Sequence, residues 1–484
     1  MNQSPMRLRR LLLVSLLALT VMTPVVPVAA QPKQISFFGM NTYITGLERI
    51  AIDGDDGIAH LVAEGRNAGV GWAREELSWA NIEPGHKEDW NWGPFDKRIG
   101  QLAQAGYGII GMLLTTPGWA RVADCNGRAK ASGALEYWCP PANAKDYADY
   151  AWTIVERYDG DGVNDAPGSP RIAAWQIWNE PSAPITWPGT PAEYGTMLVA
   201  AYKAIKSADP TAIVTLGGVY VFDGLGTDPT DGIKFYNAMI AAVPESVDTF
   251  DVLPIHPYMT SVAPDAPKIY ASITLWGRIQ LGQKWLRDHQ GRRGVRPLWI
   301  SELGWSSCRC GEGCPAAAAP SEDAAATYMV RAHAIALALG VQHISYFQLE
   351  DKFDGRDGQK CDDASAILDT EARGYREKPA FIAYRMMTQQ LAGAVFLGFG
   401  KAHRYPYNPN DQNYIGLYHL RFRLADGTRE DVLWRTLGSQ TVDLPLEAKR
   451  GAELITRDGV RTALTGKSVR IDVGEQPVYL RQPK

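Results

Sequence analysis

Hydrophobic and polar positions follow two alternating periods along most of the chain. Short apolar runs, typical of buried strands, are followed by longer segments in which apolar residues recur every three or four positions, as on one face of a helix. The pattern predicts strands at residues 35–41, 70–79, 107–114, 173–181, 213–220, 250–258, 298–304 and 343–349. It predicts helices at residues 58–67, 95–104, 144–158, 191–207, 233–242, 273–289, 322–339 and 379–390.

Eight strand–helix units in one unbroken series predict an α/β protein with a parallel sheet closed into a (β/α)8 TIM barrel. An open, doubly wound sheet is the alternative. That fold usually carries a glycine-rich phosphate-binding turn after its first strand, and this chain has none there. The barrel, expected over residues 31–390, is therefore the preferred prediction.

The sequence pattern changes near residue 391. Helical periodicity ends there, and short strand-like runs separated by turn sequences follow at residues 414–424, 429–437, 440–444 and 468–473. We expect residues 391–484 to form a small all-β sandwich domain packed on the barrel. A stabilising appendage is the preferred role for this domain, and sugar binding is the alternative.

The first thirty residues have the composition of a signal peptide. Three arginines at residues 7–10 precede an apolar run over residues 11–21 that is too short to span a bilayer, and small residues at 28–30 resemble a cleavage site. We therefore expect export to a secreted or cell-surface location, with an uncleaved anchor as the alternative. No membrane partner is expected for the mature form.

Composition and charge narrow the possible functions. A net charge of −4 over 484 residues provides no basic surface for nucleic acid. The 15 tryptophans and 21 tyrosines offer flat surfaces with polar edges, which suit sugar rings, although large hydrophobic cores also use tryptophan. A carbohydrate partner is therefore favoured over nucleic acid.

Six cysteines in an exported chain favour disulfides over free thiols. Only the Cys125–Cys139 pair is predicted, because it brackets one loop, and the pairing of the other four stays open. A metal site at Cys308, Cys310 and Cys314 is not expected, because no histidine ligand flanks them. The chain is expected to need no cofactor and no metal.

Two glutamates stand at the ends of predicted strands four and seven. Glu180 follows an aromatic-rich run and precedes Pro181, and Glu302 closes a second apolar run. Because all strands of a closed barrel end at the same face, the two carboxylates are expected to converge there. Paired carboxylates cleave glycosides: one protonates the leaving oxygen and the other attacks or activates water. A separation of about 5–5.5 Å between the carboxyl groups would indicate retention of configuration, and one near 9 Å inversion.

Neighbouring residues suggest different roles for the two glutamates. Arg74 on strand two is a permanent charge able to hold a carboxylate ionised, although an ion pair with an adjacent glutamate is the alternative. His256 and Tyr258 on strand six add hydrogen-bond donors, with a core position as the alternative for His256. An arginine and a tyrosine near Glu302 would keep it anionic, as a nucleophile requires, and Glu180 would then be the acid and base.

Aromatic residues in the loops of this face are candidates for stacking on sugar rings. Core packing is the alternative for each tryptophan. The candidates are Trp119, Trp138, Trp187, Trp305 and Phe347.

These motifs resemble those of the clan A glycoside hydrolases, most closely family 39 and its relatives. The matching segments are Trp178-Asn179-Glu180-Pro181, Pro117-Gly118-Trp119, His256-Pro257-Tyr258 and Ser301-Glu302-Leu303-Gly304-Trp305, together with the β tail. The resemblance covers nearly all of the mature chain. It implies a (β/α)8 enzyme that cleaves with retention of configuration.

The same resemblance implies specific residue roles. Glu180 would be the acid and base, Glu302 the nucleophile, and Asn179 the ligand of the 2-hydroxyl. One departure concerns strand eight, where many clan members place a tryptophan and this chain has Phe347. The sugar identity therefore stays open, and Glu350 and Asp351 on the same strand are rival catalytic carboxylates with weaker support.

The sequence thus predicts an exported, monomeric, retaining glycoside hydrolase acting on a β-linked polysaccharide or oligosaccharide. A transglycosylase that remodels surface glycan would use the same residues. A non-catalytic carbohydrate-binding barrel is disfavoured because both glutamates and Asn179 are present. The sugar, its linkage and endo or exo action are not determined.

Overall fold

The computed structural model describes residues 36–219, 231–259, 261–266, 274–307, 319–351, 364–403, 416–447 and 451–484. The predicted signal peptide and the four cysteines from residue 308 onward lie outside these ranges. Among the described helices, none is both long and apolar enough to cross a bilayer. Export therefore stays a prediction.

Eight parallel strands form the predicted barrel. They are β1 (Phe38–Asn41), β2 (Trp72–Ser78), β3 (Gly108–Leu114), β4 (Ala174–Ile177), β5 (Ile213–Thr215), β6 (Leu253–Ile255), β7 (Leu298–Leu303) and β8 (Ile344–Tyr346). They pair in the order β5-β4-β3-β2-β1-β8-β7-β6. A parallel bridge between Thr215 and Val252 joins the two ends of this order, so the sheet closes on itself.

Within the described ranges, ten helices accompany the barrel strands. They are α1 (Leu47–Asn67), α2 (Trp79–Ile82), α3 (Gly93–Gln104), α4 (Cys125–Ser132), α5 (Ala144–Arg157), α6 (Pro191–Ala208), α7 (Gly232–Ala242), α8 (Leu275–Asp288), α9 (Glu322–Ala338) and α10 (Pro379–Leu391). Local sequence sets several helix starts: Thr190 and Glu193 form a capping box on α6, and Ser321 caps α9.

Several predicted strands are longer than the observed ones. Strand β4 ends at Ile177, because Trp178 and Glu180 adopt left-handed backbone angles (φ 69° and 48°) that break the ladder. Apolar residues continue beyond the strand ends into buried loops, so hydrophobic pattern alone does not mark where pairing stops. The sequence also missed α2 and α4, which are short.

The loop between β3 and α5 carries the predicted disulfide. Cys125 at the start of α4 is bonded to Cys139, and their Cα atoms lie 5.7 Å apart. The bond closes a loop of 14 residues on the face where the strands end. This pairing is confirmed.

A separate antiparallel β domain follows α10, as predicted. Its strands are β9 (Val395–Phe399), β10 (Leu417–Arg423), β11 (Arg429–Arg435), β12 (Gln440–Pro445), β13 (Ala452–Thr456), β14 (Arg461–Leu464), β15 (Ser468–Val473) and β16 (Val478–Gln482). They form a six-stranded sheet and a two-stranded sheet, β12-β15, which share an apolar core. The sequence anticipated β10, β11, β12 and β15 and missed the rest.

The other face of the six-stranded sheet packs on the barrel. Tyr418 and Trp434 stack with ring centroids 4.4 Å apart, and both belong to the hydrophobic core that fills the barrel layer. Because the two parts share this core, the boundary near residue 390 stays a prediction, although α10 ends at Leu391 and β9 begins at Val395.

A buried ion pair reinforces this contact. Arg331 on α9 lies 3.1 Å from Asp265, and neither side chain is exposed. The guanidinium also donates to backbone carbonyls of the β domain at Arg435 and Glu475. Asp265 in turn accepts from Trp434 Nε1 at 2.8 Å. Every charge in this cluster is therefore compensated by a partner.

Replacing Arg331 by methionine is expected to destabilise the protein by about 3–5 kcal/mol, because Asp265 is left buried without its counter-ion. Denaturant unfolding measures this loss. The double variant Arg331→Met with Asp265→Leu removes both charges and should recover part of it. A single variant as stable as the wild type would show that the pair does not join the two parts.

Glu430 on β11 is a second buried charge at this contact. It is fully buried opposite Arg481 of β16, and within the described residues neither carboxylate oxygen has a hydrogen-bond partner. Burial raises the pKa of Glu430 to about 8. Between the ordinary pKa of a glutamate and about pH 8, the folded protein keeps a proton on Glu430 that the unfolded chain releases. The free energy of unfolding therefore falls as the pH rises through this range.

The Glu430→Gln variant is therefore expected to lose this pH dependence. Its melting temperature should exceed that of the wild type at pH 9 and approach it near pH 5, where Glu430 is protonated. Thermal unfolding from pH 5 to pH 9 measures the difference. Glu245→Gln, which changes an exposed carboxylate, is the control and should leave the profile unchanged. Parallel profiles for all three proteins would contradict the assignment.

Candidate active site

Glu180 and Glu302 lie together where strands β4 and β7 end. One carboxylate oxygen of each, and one ring nitrogen of His256, all lie within 4.8 Å of one another. The Glu180 side chain is 18% exposed and that of Glu302 is 8% exposed. The barrel thus brings together two carboxylates that are far apart in sequence and leaves the first one more accessible.

Arg74 of β2 is buried at the centre of this group. Its Nη1 donates to Glu302 Oε1 at 2.7 Å and also to Asn41. Its Nη2 donates to Asn179 Oδ1 at 2.9 Å, and its Nε donates to Gln176 at 3.0 Å. The guanidinium therefore pairs with the carboxylate of β7 and orients the amide beside Glu180.

Glu302 is held as an anion. Tyr258 donates its hydroxyl to Glu302 Oε2 at 2.9 Å, so both carboxylate oxygens accept a hydrogen bond. Burial by itself would raise the pKa of Glu302, but the neighbouring His256 imidazole and Arg74 guanidinium, with the two hydrogen bonds, hold it below its usual value. This carboxylate is equipped to act as a nucleophile at neutral pH.

Glu180 has a different environment. Its Oε1 lies 2.8 Å from His256 Nδ1, and the other ring nitrogen of His256 lies 2.8 Å from the hydroxyl of Ser301. His256 is fully buried, so the ring is fixed between these two partners. His256 Nδ1 also lies 3.7 Å from Glu302 Oε2, so the imidazole stands between the two carboxylates and contacts Glu180 more closely.

Asn179 presents its amide toward the same space. Its Oδ1 accepts from Arg74 and from Gln176, which fixes the orientation of the amide group. Among the described residues, Asn179 Nδ2 meets no protein acceptor. The NH₂ group is therefore able to donate to a ligand hydroxyl.

Phe347 borders the site beside Glu302. Its half-buried ring makes edge contacts with Tyr258, at 6.3 Å between centroids, and with Tyr43, at 5.9 Å. Trp119 is also half-buried; its Nε1 donates to the carbonyl of Glu83 and its ring packs on Trp79. Both rings keep an accessible surface, as stacking on a sugar would require.

Three other tryptophans differ in accessibility. Trp305 is 1% exposed, with Nε1 donating to the Val262 carbonyl, and Trp187 is 2% exposed against Trp178. Trp305 and Trp187 therefore pack in the core, which was the alternative to sugar stacking for these residues. Trp138 is half-buried with its ring against the edge of Trp178, so it keeps part of its surface for contact.

Four residues of the site were not assigned from the sequence. Asn41 and Gln176 bind Arg74, and Ser301 binds His256. A polar residue in an otherwise apolar strand was the available signal for Asn41 and Gln176. Tyr43, in a left-handed conformation after β1, gave no local signal; burial and the nearby Glu302 raise its pKa well above the usual value.

The rival carboxylates are engaged elsewhere. Glu350 accepts from the backbone of Glu371, and Asp351 forms an ion pair with Lys378. Burial raises the pKa of Asp351 to about 6 despite this pair. Both groups have contacts within the segment that follows β8 and are not among the partners of Arg74 described above.

The charges around Glu180, His256 and Glu302 oppose the binding of a metal cation there. Glu180, His256 and Glu302 lie close enough to share an ion, but the Arg74 guanidinium already stands 2.7 Å from Glu302 and would repel it. The charge of Glu302 is thus balanced by the protein itself.

Gly218 allows the close approach of His256. A Cβ atom added to Gly218 would lie 2.0 Å from His256 Nε2. The Gly218→Ala variant is therefore expected to displace the imidazole by about 1 Å or more and to break its bond with Glu180 or Ser301. A crystal structure of the variant measures this. Gly100→Ala on α3, where a Cβ meets nothing within 4 Å, is the control. An unmoved imidazole would contradict the steric argument.

Comparison with known proteins gives matches only in structure. No protein-family model and no curated protein matches the chain. A family 39 glycoside hydrolase from Bacteroides cellulosilyticus is similar with a TM-score of 0.66 and 17% identity, over 89% of this chain and 79% of that one. A family 39 β-xylosidase from Caulobacter crescentus is similar with a TM-score of 0.59 and 14% identity, over 95% and 98% of the two chains.

Other glycoside hydrolases share this architecture. A family 51 arabinofuranosidase from Xanthomonas axonopodis has a TM-score of 0.57 and 14% identity, over 94% of this chain and 97% of that one. At such identities the likeness shows the fold. Solved structures that this chain is similar to include glycoside hydrolases of families 39, 30 and 51, and the family 39 structures agree with the resemblance found in the sequence.

Proposed function

We propose that the protein is a retaining glycoside hydrolase that acts on a β-linked polysaccharide or oligosaccharide. The observation that carries the proposal is the pair of carboxylates with opposite environments. Glu302 is fixed as an anion by Arg74 and Tyr258, and the more accessible Glu180, within 4.8 Å, is held by His256. The short distance supports a retaining mechanism, since inversion needs about 6.5–9.5 Å between the carboxyl groups to admit a water.

The first step forms a bond to the enzyme. Glu302 attacks the anomeric carbon with its ionised carboxylate, and the glycosidic C–O bond breaks. Glu180 gives its proton to the leaving oxygen, so the departing sugar leaves as a neutral alcohol. Asn179 donates to the 2-hydroxyl, where a hydrogen bond that tightens in the transition state lowers the barrier.

The second step releases the sugar. Glu180, now ionised, removes a proton from water while the water oxygen attacks the anomeric carbon. The bond between that carbon and the Glu302 carboxylate then breaks, which frees Glu302. Two inversions at one carbon restore its original configuration. His256 holds the Glu180 carboxylate in position for both steps, since its Nδ1 lies 2.8 Å from Glu180 Oε1.

The substrate class is supported by the shape of the site and by the structural neighbours. Half-buried rings of Trp119 and Phe347 suit the apolar faces of sugars. The similar proteins are named as a β-xylosidase, a glucosidase, an endoxylanase and an arabinofuranosidase. Export through the N-terminal segment would bring the enzyme to extracellular glycan, and we propose action there as a monomer.

Variants of the two glutamates test the mechanism. Glu302→Gln is expected to lower kcat by about 10³-fold or more on every substrate, because no nucleophile remains. Glu180→Ala should lose activity on natural glycosides but keep it on dinitrophenyl glycosides, whose leaving group needs no acid, and added azide should restore turnover. Initial rates on a panel of aryl glycosides measure both.

Glu350→Gln is the matched control, since it alters a buried carboxylate after β8, and it should retain activity. Proton NMR of the first product reports the anomeric configuration. Full activity in Glu302→Gln, or an inverted first product, would refute the assigned roles.

A further inference from the structure

A second cavity of about 210 Å³ opens between the loop after β2 and helix α5. Neither glutamate of the catalytic pair lines it, and neither do Arg74, His256 or Tyr258. The loop after β2 lies at the same end of the barrel as the catalytic group, because all eight strands are parallel. The cavity is therefore separate from the candidate active site.

Two tryptophans form walls of this cavity. Trp152 on α5 is 42% exposed, an unusual position for so large an apolar ring on the outer face of a helix. Trp90 in the loop after β2 is half-buried and stacks on Trp92, with centroids 5.1 Å apart and ring planes 16° apart. The guanidinium of Arg157 covers the Trp92 ring at 4.9 Å. Trp90 is thus held rigidly in place.

An ion-pair bridge fixes the loop to the helix. Lys87 Nζ lies 2.7 Å from Asp146 and 2.7 Å from Asp149, two residues on successive turns of α5. At the cavity wall, the buried Glu83 carboxylate accepts from Trp79 Nε1 and from the backbone of Glu88. The cavity is therefore framed before any ligand arrives, which reduces the entropy cost of binding.

The chemistry of the lining selects a class of ligand. Aromatic faces stack on the C–H surfaces of sugar rings, and carboxylates accept hydrogen bonds from sugar hydroxyls. Four carboxylates and one ammonium line the cavity, so its field is negative and disfavours acidic sugars. A neutral glycan satisfies the aromatic and the polar groups together.

We propose that this cavity, framed by Trp90, Trp152 and the Lys87 bridge, is a second binding site for a neutral glycan chain. The inference rests on the proposed function, because the ligand would be another stretch of the glycan that the active site cleaves. The connection is physical: Glu83, which lines the cavity, accepts at its carbonyl a hydrogen bond from Trp119, a candidate stacking residue of the active-site face.

The test measures binding to polymers without hydrolysis. Glu302→Gln serves as the inactive parent, and affinity gel electrophoresis is run with arabinoxylan, mixed-linkage β-glucan, galactomannan and polygalacturonate. The parent is expected to be retarded by at least one neutral polymer and not by polygalacturonate. Adding Trp152→Ala should weaken that retardation about tenfold or more, and Trp152→Phe should keep part of it.

The control is Leu437→Ala in the same parent, which removes an exposed apolar side chain of the β domain. It should bind as the parent does, and melting temperatures confirm that each variant is folded. Equal retardation of the Trp152→Ala variant, retardation by polygalacturonate, or no retardation by any neutral polymer would overturn the second site. Hydrolysis of small aryl glycosides by the wild type, measured separately, tests the proposed function and is independent of this result.

Discussion

A single buried guanidinium organises the end of the barrel where Glu180 and Glu302 meet. Arg74 is fully buried, and removing such a charge from water costs several kcal/mol unless it is paired and hydrogen-bonded. The acceptors come from three strand ends and one loop. They are Asn41 of β1, Gln176 of β4, Glu302 of β7 and Asn179, which follows β4. The charge therefore stabilises one arrangement of these strand ends, and the same contacts set the ionisation of Glu302 and the orientation of Asn179.

The contrast between the two carboxylates follows from this arrangement. Glu302 is nearly closed off and accepts from a permanent cation and from Tyr258, so its charged form is favoured. Glu180 is more accessible and contacts the His256 imidazole instead of the guanidinium. Placed within 4.8 Å of each other, two chemically identical side chains therefore have different surroundings.

Rigidity around the site extends to the second domain and to the rim. The six-stranded sheet shares the barrel core, and Arg331 joins the two parts with compensated charges. At the rim, Lys87 ties the loop after β2 to α5, and Trp90 is held by stacking on Trp92. Such fixed surfaces lower the ordering entropy that the binding of a ligand would cost.

The sequence alone predicted the eight barrel strands, the main helices between them, four strands of the β domain, the Cys125–Cys139 bond and the two glutamates near strand ends, because periodicity and turn residues act over a few positions. It missed the short helices α2 and α4 and the strands β9, β13, β14 and β16. Tertiary structure decided the rest. Residues far apart in sequence meet only when the barrel closes, so the pairing of Arg74 with Glu302 was an expectation until the structure placed them 2.7 Å apart, and no local pattern revealed that Tyr43 stands nearby. The sequence pattern also could not distinguish the buried ring of Trp305 from the exposed ring of Trp152, because exposure depends on which element packs over a side chain.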